Sequence, residues 1–169
     1  MPTNLLKKYN KLLELSALNE SQRTASLMGV FRRDIENNTA FRFRNKQIKP
    51  TTADGEDSMA RLFRHLTTVI ADKSTNHREF EMARSVRLHW LRHHVEEKKP
   101  NNMYVFSVNE PACGVRTYIY DKDENYVIVL EPLRNGQEYY LLTAYHLDGK
   151  DKARNKMMKK YSRRLGYVA

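Results

Sequence analysis

The chain has one cysteine, Cys113, among 169 residues. An internal disulfide is therefore impossible, and the composition suits a reducing compartment such as the cytoplasm. Cys113 has no CxxC partner, so it reads as an incidental thiol. Long apolar runs are also missing. Nothing approaches the roughly 20 residues of a membrane-spanning helix. The opening stretch MPTNLLKKYNKLLELSALNE has no secretory apolar region. No membrane partner is expected. Internal repeats and low-complexity blocks are absent too.

The usual catalytic signatures are missing as well. The sequence has no HExxH, no Cys/His spacing that fits zinc, no P-loop, no GxGxxG and no GxSxG. Metal and cofactor are therefore expected to be none. What remains is metal-free acid–base chemistry, or binding without chemistry. Acidic residues are outnumbered, with 20 Asp and Glu against 30 Lys and Arg, a formal net charge of +10. A surplus of this size favours nucleic acid or another polyanion as partner. The plainer reading is a basic protein whose charge only aids solubility.

Hydrophobic period divides the chain in two. The first half is helical in pattern: Leu5, Leu6, Tyr9, Leu12, Leu13 and Leu15 to Leu18 recur at helical spacing, Ser21 to Asn37 reads as a second helix, and Glu56 to Ala71 as a third. Phe41 to Arg44 alternates like a short strand. The second half has period two. Met103 to Val108, Gly114 to Asp121, Tyr126 to Leu130 and Glu138 to Leu147 read as strands, and Asn135-Gly136 marks a hairpin. Short turns make the sheet antiparallel. Lys150 to Leu165 closes the chain as a basic helix. The expected class is α+β: N-terminal helices, then a helix packed on a three- to four-stranded antiparallel sheet. The expected organisation is a helical region 1–77, which covers the sheet or binds a partner, and an α+β domain 78–169.

Between the halves lies REFEMARSVRLHWLRHHVEE, residues 78–97, which reads as one amphipathic helix. With Phe80 at zero and ~100° per residue, Arg84 falls near 40°, Arg87 near 340° and His94 near 320°, inside the apolar arc. Ser85, His89, His93, Arg92 and Glu96 fall on the opposite, solvated side. A charge facing a core costs several kcal/mol unless it is paired or reaches water. The arginines therefore snorkel, or pair with Glu131 or Asp121, or line a cleft that holds a phosphate, to which the planar guanidinium fork is suited. The opposite wall is YYLLTAYHL, where Tyr139, Leu141, Thr143 and Tyr145 share one face and Tyr140, Leu142, Ala144 and His146 the other.

Metal-free RNA cleavage requires a base for the 2′-hydroxyl, an acid for the leaving 5′-oxygen and cations for the phosphorane, which His, Arg, Lys, Tyr and Thr can supply. The stretch KDKARNKMMKKYSRRL, with Lys156, Lys159, Lys160, Arg163 and Arg164, is suited to a nucleic-acid backbone. Tyrosines such as Tyr140 are suited to stacking on bases.

RSVRLHWLRHHVEE, VRTYIYDKDENYVIVLEP and EYYLLTAYHLDGKDKARNKMMKKY together resemble the phage-associated branch of the barnase, EndoU, colicin D and RelE-like nuclease superfamily. The similarity covers about residues 78–165, and the residues that carry it are Arg84, Arg87, Trp90, Thr143 and Tyr145. It implies a helical element on a four-stranded antiparallel sheet and metal-independent cleavage of RNA, with tRNA among the candidate substrates. It also implies a phage or mobile-element effector or toxin, acting in the cytoplasm of a bacterial host. On this reading Arg84 and Arg87 bind the scissile phosphate, and Thr143 and Tyr145 orient it or the 2′-hydroxyl. His94 or His89 serves as base or acid. Two other expectations stay open: a non-catalytic nucleic-acid-binding module, and an effector that binds and inhibits a host protein through its N-terminal helices.

Overall fold

The computed structural model describes residues 2–147 and 151–169. The class is α+β, as expected, with a larger sheet than the sequence suggested. The strands are β1 (Arg42–Phe43), β2 (Lys46–Pro50), β3 (Thr68–Asp72), β4 (His77–Phe80), β5 (Met103–Glu110), β6 (Gly114–Asp121), β7 (Tyr126–Pro132) and β8 (Glu138–His146). The helices are α1 (Glu20–Phe31), α2 (Ser58–Thr67), α3 (Met82–Ser85), α4 (Trp90–Val95) and α5 (Asp151–Ser162). The expected start of the last helix at Lys150 lies outside the described residues.

Strands β5 to β8 form the antiparallel meander predicted from sequence. They belong to a mixed six-stranded sheet of order β1-β2-β8-β7-β6-β5, because β2 adds to β8 in parallel. β3 and β4 make a separate hairpin. The sheet is covered on both faces. One core joins Leu27, Phe31, Leu66, Trp90, Ile119, Ile128 and Leu141. The other packs Phe106, Tyr118, Tyr120 and Val127 against Met157 of α5. The expected boundary at 77/78 falls within the β3–β4 hairpin, and the first core draws on residues from both sides of it.

Two helices start where their caps predict. Asn19 and Gln22 form a reciprocal capping box at α1, with Gln22 N–H donating to Asn19 Oδ1 at 2.9 Å. Asp57 caps α2 by accepting from Ala60 N–H at 2.8 Å. The expected helix to Ala71 ends early. The β-branched run Thr68-Val-Ile70 leaves the helix and pairs with His77–Phe80.

Two further expectations are corrected. The N-terminal leucines do not form a long helix. After a 3₁₀ turn at Pro2–Leu6 the chain runs as a strap, in which Leu13 and Leu15 are buried while Leu5, Leu6 and Leu12 stay exposed. Leu13 N–H donates to Val86 O at 2.9 Å. The Lys11 carbonyl accepts from both His89 Nε2 (2.8 Å) and Trp90 Nε1 (3.1 Å). These tertiary bonds replace the intrahelical ones.

Residues 78–97 are not one helix either. They comprise β4, α3, a tightened turn and α4. Arg87, Leu88 and Trp90 N–H bond to carbonyls three residues back, at 3.2, 3.2 and 2.9 Å. Such 3₁₀ winding rotates side chains by about 120° per residue instead of 100°. It carries His89, expected in solvent, into the interior, where it is 5% exposed. Ser85, whose expected angle does not apply because its origin Phe80 lies in β4, is 0% exposed.

Candidate phosphate-binding cleft

The cleft forms where β8 loses its neighbour. β2 pairs with β8 only as far as Pro50 opposite Leu141. Proline has no N–H with which to extend the ladder. One step further β8 bulges. Val129 faces Thr143 and Leu130 faces Leu141, so Leu142 is the extra residue. The bulge corrects the expected alternation. Leu141 and Ala144 enter the first core, while Leu142 and Tyr145 pack on the second. Thr143 is left at the open edge. A cleft of about 300 Å³ opens there, lined by His65, Val69, Ile70, Arg78, Arg84, Leu142 and Thr143.

Arg84 reaches this edge from α3. Its side chain is 12% exposed. One Nη donates to the His65 carbonyl at 2.7 Å and to Thr143 Oγ1 at 3.3 Å. Its Nε lies 3.3 Å from Glu81 but makes no hydrogen bond. Arg87 donates from Nη1 to Ala83 O at 2.5 Å and stands 5.3 Å over the Trp90 ring. Its Nε is also buried without a hydrogen-bond partner, and no carboxylate lies within ion-pair distance among the described residues. Burial pulls both guanidinium groups below their ordinary pKa, an effect that Glu81 and Tyr126 partly offset for Arg84, and Tyr126 and Glu124 for Arg87. The inward arginines therefore neither snorkel freely nor pair with Glu131 or Asp121. Arg84 is only partly compensated, and Arg87 is uncompensated by a carboxylate.

Arg78 adds a third cation, held by Thr68 through Nε to Oγ1 and Nη2 to the carbonyl, both at 2.8 Å. His65 lies among these groups and makes no ring hydrogen bond among the described residues. Burial first, then Arg78, Arg61 and Arg64, push its pKa down to about 4. The imidazole is therefore unprotonated at neutral pH, and its ring nitrogens are unbonded among the described residues. Tyr145 is held protonated by burial, against the opposing pull of Arg84.

The structure brings Arg84 and Thr143 together at the cleft, whereas Arg87 and Tyr145 are not among the residues that line it, and Tyr145 is linked to Arg84 only through its charge. The two expected histidines go elsewhere. His94 is 1% exposed, with Nδ1 2.6 Å from Trp90 O and Nε2 2.8 Å from Asp121 Oδ2. Asp121 also accepts from Tyr9 O–H at 2.5 Å and lies 3.5 Å from Lys99 Nζ. Burial raises the Asp121 carboxyl, but the bonds from His94 and Tyr9 hold it below its ordinary pKa. Both His94 nitrogens are thus occupied. His89 donates from Nε2 to Lys11 O, and its pKa is lowered to about 4, chiefly by burial.

Tyr140 sits beside Lys49 of β2, away from the cleft. On α5 and the turn after it, Lys156, Lys159, Arg163 and Arg164 are exposed. Arg164 lies 4.1 Å over the Tyr161 ring, and Lys160 pairs with Glu110. Leu142 and Tyr145 belong to the same core as Met157, but α5 itself lies along β5, at the edge of the sheet opposite β2, with Tyr161 against Tyr104 and Phe106.

His65 and Arg78 are the residues that sequence reasoning missed. Arg61, Arg64 and His65 stand at i, i+3 and i+4, one face of α2, and that cationic face was the available signal. Arg78 was hidden by assigning it to a helix.

Comparison with protein-family models, curated proteins and solved structures finds no match to this chain. Among the described residues, no helix is long and apolar enough to cross a membrane.

Proposed function

We propose that the protein binds RNA at this cleft and cleaves it without a metal. The observation that carries the reading is the neutral, unbonded His65 imidazole beside the incompletely satisfied guanidinium of Arg84. Arg84 and Arg78 hold the scissile phosphate through its non-bridging oxygens, and Arg87 adds positive field. Thr143 Oγ1, already bonded to Arg84, orients the same group. His65 takes the 2′-hydroxyl proton. The 2′-oxygen attacks phosphorus, the bond to the 5′-oxygen breaks, and the leaving oxygen takes its proton from solvent water in the open cleft. The products are a 2′,3′-cyclic phosphate and a 5′-hydroxyl end. The exposed α5 cations, Lys156, Lys159, Arg163 and Arg164, carry the flanking backbone. tRNA remains a candidate substrate, and a phage or mobile-element effector a candidate setting.

The test is purified protein on total bacterial RNA in EDTA, beside His65→Ala. Discrete cleavage with cyclic phosphate ends, lost in the variant, sustains the proposal. Equal cleavage by both places the chemistry elsewhere. The engagement of both His94 nitrogens in structural bonds favours a second reading, a non-catalytic RNA-binding module. That reading predicts salt-dependent binding and intact RNA.

A further inference from the structure

A second depression lies where the N-terminal strap crosses the end of α4, a groove of about 600 Å³ whose lining includes none of the cleft residues. Its wall carries Lys7, Lys8, Arg33, Arg92 and Lys98 against Asp34 and Glu96, an excess of cations. The two carboxylates are already engaged. Asp34 pairs with Arg33 at 2.7 Å and with Arg92 at 3.6 Å, and Glu96 pairs with Arg92 and Lys98 at 2.9 and 2.8 Å. Lys7 pairs with Glu14 at 3.4 Å. Lys8 is exposed and has no ion pair among the described residues.

Two more features narrow the ligand. Tyr9 and His93 both line the groove and stack on one another, centroids 4.4 Å apart and planes 13° from parallel. This makes an aromatic wall beside the cations. His89 also lines the groove and is 95% buried. Its Nε2 donates to Lys11 O, the Lys8 carbonyl also lies against the ring, and the buried Nδ1 makes no hydrogen bond. A buried polar atom left without a bond calls for a partner.

We infer that this groove is a second binding site, for a ribonucleotide bearing a phosphate monoester: phosphate on the Lys8 side, base against Tyr9 and His93, and a hydroxyl or amino group toward His89. The ligand is a free nucleotide or the phosphorylated end of an RNA, which share this chemistry.

Titration calorimetry on the full chain uses adenosine 5′-monophosphate, adenosine and inorganic phosphate as probes. The monophosphate is expected to bind at least about tenfold more tightly than either fragment, since both the cations and the aromatic wall contribute. Lys8→Glu and His93→Ala, both outside the core, should each weaken it about five- to tenfold, the usual size of one charge or stacking contact. His65→Ala should leave it unchanged. Competition by 5′-phosphorylated but not 5′-hydroxyl oligoribonucleotide identifies an RNA end as the ligand. Failure of both to compete identifies the free nucleotide. No saturable binding overturns the assignment, and so does binding lost in His65→Ala but kept in Lys8→Glu. The second result would put the nucleotide in the cleft and leave the nuclease proposal standing.

Discussion

The two ends of the segment from α3 to α4 face the same interior and have opposite fates. At the α4 end His94 and Asp121 are almost wholly buried, and His94, Tyr9, Lys99 and a backbone amide converge on the carboxylate. At the α3 end Arg84 and Arg87 each keep an Nε buried and without a hydrogen bond. A buried charge persists when acceptors and donors converge on it, or when the site is built for a ligand to supply them. The α4 end is a closed ionic lock that fastens the N-terminal strap. The α3 end lies where a strand stops at Pro50 and its neighbour bulges, and there Arg84 lines a cleft.

The comparison yields tests, largest effect first. In the cleft, His65→Ala should lower RNA cleavage by about 10²- to 10⁴-fold, the usual contribution of a general base, with little change in melting temperature. The acid limb of kcat/KM against pH should fall near pH 4, where His65 takes up its proton, well below an ordinary histidine. At the lock, Asp121→Ala should cost about 3–5 kcal/mol in urea unfolding, because it leaves a buried partner uncompensated. Arg84→Met should show the reverse pattern, with stability held or raised and RNA affinity lost in filter binding. If Arg84→Met unfolds the protein and Asp121→Ala does not, the assignment of lock and cleft is inverted.

A smaller effect concerns pH and stability. His89 has a folded pKa of about 4, below the unfolded value of about 6.5, so the unfolded chain binds its proton first. The contribution of the neutral ring is complete above pH 6.5. It is lost progressively as pH falls toward 4. His89→Gln should flatten that slope in thermal melts between pH 7 and 4. The smallest effect is expected on α5. Lys156→Ala and Lys159→Ala should each reduce the salt slope of RNA binding by about one or less, without altering the cleavage pattern.

Much of this molecule was legible locally. The four strands of the meander, the Asn135-Gly136 turn and the helix starts near Asn19 and Asp57 follow from period-two alternation, β-branched content and capping chemistry. All of these operate within a few residues. The inward placement of Arg84 was legible too, because α3 keeps helical winding as far as Ser85. His89 was misplaced because the following turn tightens to i→i−3 bonding, and a period of three reads nearly like 3.6 over so short a stretch. Ser85 was misplaced because Phe80, the origin of its angle, lies in strand β4. The sequence by itself determined the α+β class, the cationic surplus, and which residue types were available for phosphate chemistry. Only the tertiary structure decided their arrangement. The strap is extended because Lys11 and Tyr9 find distant partners. β2 joins β8 across almost a hundred residues of chain. A bulge sets Thr143 beside Arg84, and α2 brings His65 to the same edge. Each of these depends on groups far apart in the chain competing for one another's hydrogen bonds, and no local pattern encodes the outcome of that competition.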